Sequence, residues 1–137
     1  MSAQTQITAE YVDNVRFEVR TRGHRVLCDQ PVHNGGDDDG MSPPEFLLAS
    51  LAACAGYYAL RYLSARGIPS PGLQVRVTAE KALQPARLAS FDIDITAPEL
   101  DAEQEAGLLR AVSACLIHNT LMHAPVIRTT ILSPVAA

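Results

Sequence analysis

The run Ser42-Pro43-Pro44-Glu45-Phe46-Leu47-Leu48-Ala49-Ser50-Leu51-Ala52-Ala53-Cys54 decides the fold. Ser42 is a helix N-cap type, Pro43 suits the first helical position, and Glu45 falls three residues after the cap. Leu47, Leu51, Cys54 and Tyr58 then recur at i, i+4, i+7 and i+11, which puts Cys54 on an apolar stripe. Phe46, Leu48, Ala49, Ala52, Ala53 and Leu60 leave little polar surface on the other sides. The helix is therefore expected to be central and buried, ending near Arg66-Gly67 ahead of Pro69.

Outward from this helix the pattern changes to period two. On the N-terminal side, Ile7–Val12 and the alternation Val15, Phe17, Val19 against Arg16, Glu18, Arg20 read as strands. Asp13-Asn14 and Arg22-Gly23 are the turns, and His24–Cys28 is a third strand. Residues 30–43 form a Pro-, Gly- and Asp-rich connection. On the C-terminal side, Leu73–Ala82 and Leu88–Ile95 alternate as strands. Asp101 with Gln104 forms a capping box that opens a helix through Ala114. In that helix Leu108, Val112 and Cys115 share a face. Val126–Leu132 is expected to be a closing strand. The order βββ-α-ββ-α-β, mostly antiparallel around two helices, is an α+β fold in one domain, residues 1–137.

Bulk properties narrow the function. A net charge of −4 over 137 residues argues against nucleic acid or an anionic membrane as the partner. The polar start Met1–Glu10 has no secretory pattern. The uncharged stretch Phe46–Leu60 is too short to cross a bilayer. Three cysteines in such a chain point to free or catalytic thiols and a cytoplasmic location rather than a disulfide scaffold.

Two cysteines on helix faces are compatible with small buried hydrophobes or with a nucleophile and its resolving partner. Cys28, beside Asp29 on a strand, reads as structural. Cys115, His118 and His123 lack the fourth ligand and spacing of a zinc site, so no metal is expected. Asp37-Asp38-Asp39-Gly40 lacks the alternate spacing of a calcium loop and reads as a solvated turn. Gly35-Gly36 precedes acids rather than a phosphate-binding lysine. Tyr57 and Tyr58 suit a core or an interface. A Cys54–His118 hydrolase would need an acid to orient the histidine, and the sequence offers none.

The Ser42–Cys54 run, preceded by Gly35-Gly36, resembles the first signature of the OsmC/Ohr family. Cys115-Leu116-Ile117-His118-Asn119-Thr120-Leu121 resembles the second. The resemblance runs from about Arg16 to Leu132, and its pattern is closer to the broader OsmC-like branch than to dedicated organic hydroperoxide reductases. It implies an intertwined homodimer with active sites at the subunit interface, and two-cysteine reduction of organic hydroperoxides or hydrogen peroxide in oxidative-stress defence. Cys54 would be the peroxidatic thiol and Cys115 the resolving one, with an external dithiol as reductant and no cofactor. The alternative is a non-catalytic stress or binding protein of the same family.

The chemistry also calls for a cation. A thiol of pKa about 8.5 is only ~3% ionised at neutral pH, so full ionisation offers about thirtyfold. The accompanying loss of nucleophilicity takes back about tenfold. Stabilising the departing oxygen is the larger need. Cys54 lies about 18 Å along the helix from its start, beyond reach of the terminal dipole. The resemblance implies an arginine near the N-terminal hairpin, bonded to a glutamate ten residues before the cysteine. Pro44 occupies that position here, and Glu45 follows it. Arg16, nearest the turn, is the candidate arginine, ahead of Arg20. Capping of the helix by Glu45, and a solvated strand face for Arg16, are the plainer readings of the same residues.

Overall fold

The computed structural model describes residues 4–134. Its elements are β1 (Thr8–Asp13), β2 (Arg16–Thr21), β3 (His24–Cys28), a 3-10 turn (Val32–Asn34), α1 (Pro43–Ala65), β4 (Gln74–Ala82), β5 (Arg87–Thr96), α2 (Ala102–Ser113) and α3 (Leu116–Met122). The chain divides into two compact units. One contains the chain through Ala52 together with Arg76–Asp94, and the other contains Ala53–Val75 and the chain from Ile95 onward.

In the first unit, β1, β2 and β3 form an antiparallel meander in that order. Tyr11 faces Phe17 across β1 and β2, and Val19 faces Val26 across β2 and β3. Arg22 and Gly23 join β2 to β3 with both φ angles positive, 49° and 86°. Two such residues give the turn whose twist matches that of the strands it joins. β4 and β5 pair as a second sheet, joined by a four-residue connection that makes them antiparallel. Along both strands partly buried residues alternate with exposed ones, Val75, Val77 and Ala79 on β4 and Phe91, Ile93 and Ile95 on β5.

The second unit has the larger core. Ala55, Ala59, Tyr62 and Leu63 of α1 pack with Leu108 and Val112 of α2, and Ile68, Leu73, Val75 and Ile95 cover the cluster. Gly107 marks the closest approach of α2 to α1, since a Cβ there would overlap the Tyr62 hydroxyl. The Arg66 guanidinium stacks 3.8 Å from the centre of the Tyr62 ring.

Three expectations are corrected. First, α1 buries a stripe rather than its whole circumference. Leu51, Ala55, Ala59, Tyr62 and Leu63 are buried, while Leu47, Tyr57 and Leu60 are 38%, 55% and 40% exposed. Apolar composition says how much surface can be buried, not how much this chain alone covers. With its charged ends included, α1 is also long and apolar enough to cross a membrane by length and composition. The 15-residue uncharged run understated it. One stripe of it packs in the core described above, and its other faces are open.

Second, the C-terminal half has two helices. Ala114 and Cys115 donate to Ala111 and Val112 in a tightened last turn. Cys115 then takes an extended ψ of 136° and starts α3. Third, Val126–Leu132 forms no strand. Val126, Ile127, Ile131 and Leu132 are 74–93% exposed. β propensity without a hydrogen-bonding edge beside it does not make a strand.

Candidate active site

Cys54 sits in the fourth turn of α1, and Ala55 and Leu63 anchor the buried side of that helix. Its side chain is at the margin of the buried stripe and partly exposed. Cys115 lies in the two-residue break between α2 and α3 and is fully buried. Both thiols are free. They lie near each other within the second unit, with Cys54 close enough to act on the Cys115 thiol. Burial first, and then the Cys54 side chain, push the Cys115 thiol above its ordinary range. The backbone N–H groups of His118 and Ile117 act in the opposite sense.

The break that positions Cys115 has a local cause. Its Sγ accepts the His118 N–H at 3.5 Å, as the N-cap side chain of α3. Its carbonyl accepts the Asn119 N–H at 3.0 Å, the first bond of the helix itself. The sequence reading placed Cys115 on an inward face but missed this capping role, because cysteine is seldom a cap. His118 thus serves Cys115 through its backbone.

Glu45 and Arg16 lie in the first unit. Glu45 accepts the Ser42 N–H at 2.9 Å and the Ser42 hydroxyl at 2.8 Å. These bonds hold its carboxyl below the usual range, and they tie down the start of α1. Arg16 donates through Nε to Asp13 at 2.6 Å and through NH1 to Asp37 at 2.7 Å and Asp39 at 2.9 Å. Its NH1 lies 4.0 Å from Asp29. The hydrogen bond to Asp13 leads the causes that push its pKa further up. The solvated-face reading of Arg16 therefore gives way to an ion-paired one.

Sequence reasoning also missed Asp29. Its carboxylate is fully buried and accepts the N–H groups of Asp39, Gln30 and Asp37 at 3.0, 2.8 and 3.2 Å. These bonds hold its pKa down and wrap residues 30–39 around one point. The signal was an Asp at a strand end leading into a Pro- and Gly-rich loop. Among the described residues, the carboxylates of Asp29, Asp37 and Asp39 converge closely enough to share a cation, and Arg16 supplies that charge. Cys28 is 8% exposed and packs as a small hydrophobe at the end of β3, opposite Phe17.

A family model described as OsmC-like protein matches residues 36–130. The chain belongs to the OsmC-like family. Among solved structures, the OsmC-like fold is shared with a candidate osmotic stress induced and detoxification response protein of Psychrobacter arcticus 273-4. That likeness has 24% identity and TM-score 0.78, covering 88% of this chain and 90% of that one. An OsmC like protein of Mycoplasma pneumoniae gives 24% identity and TM-score 0.75, over 90% and 91% of the two chains. The organic hydroperoxide resistance protein OsmC of Legionella pneumophila gives 18% and 0.63, over 87% and 89%. At these identities the solved structures establish the OsmC-like fold alone. No curated protein matches the chain.

Proposed function

We propose that this OsmC-like protein is a two-cysteine thiol peroxidase of oxidative-stress defence that reduces organic hydroperoxides or hydrogen peroxide in the cytoplasm. The observation that carries the reading is the meeting of two free thiols in unlike surroundings, Cys54 partly exposed and Cys115 fully buried. An attacking thiol must meet substrate, whereas a resolving thiol needs only to meet the first one. Cys54 as thiolate attacks the distal peroxide oxygen, the O–O bond breaks, and the alkoxide leaves as the alcohol by taking up from water the proton that the thiol gave up on ionising. Cys54 is then a sulfenic acid. Cys115 attacks its sulfur, forming the disulfide and releasing water. A dithiol reductant restores both thiols and is itself oxidised to a disulfide. No cofactor enters this cycle.

The working species in this reading is a homodimer, a second copy covering the apolar face that α1 leaves exposed. The family resemblance supports the peroxide chemistry, and the low identities leave the particular peroxide open. Cumene hydroperoxide with a dithiol in a coupled assay should show turnover that Cys54→Ser abolishes. Cys115→Ser should form the sulfenic acid and then stall. Equally slow wild type and Cys54→Ser would overturn the proposal.

One observation favours a second reading, a non-catalytic binding or stress protein. Arg16 is held by carboxylates and Glu45 by Ser42, so both have structural employment. The same assay decides between the two readings.

A further inference from the structure

We infer that forming the Cys54–Cys115 disulfide uncaps α3, so that oxidation loosens this helix and opens the buried sulfur to the reducing dithiol. This rests on the peroxidase reading and adds to it a coupling between redox state and local structure.

In the reduced protein the Cys115 sulfur is a junction. It lies beside the Cys54 thiol and accepts the His118 N–H at 3.5 Å, an ordinary length for a sulfur acceptor. A disulfide requires the two sulfurs to close to about 2.05 Å with a fixed torsion. Closing that gap draws the Cys115 sulfur towards Cys54 and away from the start of α3. The condensation also removes the thiol proton, which leaves with the sulfenic oxygen as water. The cap and the disulfide thus make competing demands on one atom.

α3 has little else to hold it. It spans seven residues and buries none of them, and Leu116 and Met122 are 67% and 69% exposed. A helix of that length is far below independent stability. Loss of an N-cap corresponds to about two- to thirtyfold in a local opening equilibrium. The consequence serves the cycle. Cys115 is fully buried when reduced, and an external dithiol must reach one sulfur of the disulfide in line. Opening of α3 after oxidation would supply that access only when it is needed.

Hydrogen-exchange mass spectrometry on the full chain tests this, comparing protein held reduced with protein treated with one equivalent of cumene hydroperoxide. Peptides covering residues 116–123 should exchange about two- to thirtyfold faster after oxidation, with the Cys54–Cys115 linkage confirmed in the same samples. Cys115→Ala should show the faster exchange already when reduced. Cys115→Ser, whose hydroxyl can cap, should stay protected under both conditions. A confirmed disulfide with unchanged exchange over 116–123 would sink the inference and leave the peroxidase reading standing. Absence of the disulfide would sink both.

Discussion

At the scale of single residues, Cys54 and Cys115 carry the same functional group into different surroundings. Burial disfavours the charged thiolate of Cys115, and its contact with Cys54 adds to that effect. The folded protein therefore prefers Cys115 protonated. A thiol whose pKa is raised by folding contributes stability that is fully present below its unfolded value, about 8.5. That contribution declines as pH rises above this value towards the folded pKa. The expected result is a stability difference between wild type and Cys115→Ser that is constant below about pH 8 and shrinks as pH rises above about 8.5. Its slope should not exceed about 1.4 kcal/mol per pH unit. Urea unfolding in the presence of reductant measures it, and a difference independent of pH would show that the buried thiol is not disfavoured as an anion. The resolving role proposed for Cys115 fits such a thiol, because in that cycle Cys115 would attack only after Cys54 had become a sulfenic acid.

At the scale of elements, local signals worked where the interaction is local. The Asp101–Gln104 capping box is present in full, the Asp101 side chain accepting the Gln104 N–H at 2.8 Å and the Gln104 side chain accepting the Asp101 N–H at 3.0 Å. Asp101→Ala should destabilise the protein by about 1 kcal/mol. A second-unit core substitution, Leu63→Ala, should cost about 2–5 kcal/mol. Thermal or urea denaturation distinguishes the two magnitudes, and equal losses would mean that α2 is held by its cap as much as by its core. The first five strands, the start of α1 and both cysteines were legible in the same way, because alternation, capping and helix spacing act within a few residues. The break at Cys115 was not, since Leu108, Val112 and Cys115 continue a helical spacing and a cysteine is seldom the cap that interrupts one. Nor were the partners of Arg16 legible. Asp37 and Asp39 lie 21 and 23 residues away, and they meet the guanidinium only because Asp29 gathers the loop.

At the scale of the whole molecule, the exposed apolar residues bear on assembly. Tyr57 and Leu60 on α1 and Val126, Ile127, Ile131 and Leu132 near the C-terminal end are apolar side chains left exposed by the single chain. In the homodimer proposed above, a second copy would account for both places. Helix faces of this composition pack on one another, and a β-prone segment without an edge in its own chain can add to the edge of another. Two-fold pairing of this kind closes on itself and leaves no further edge to propagate. Lipid is a poorer occupant of the α1 face, because Arg61 and Ser64 also lie exposed on that helix. Sedimentation analysis of the 14.7 kDa chain should therefore give a species of twice that mass at micromolar concentration. Burying an isoleucine side chain is worth about 1.5–3 kcal/mol, so Ile131→Asp should raise the dissociation constant at least about tenfold. The dimer should also protect the amides of residues 126–132 from exchange, which a solvated segment would not. A monomer at tens of micromolar, with those amides exchanging freely, would mean that the tail is simply solvated and that the homodimer reading is wrong.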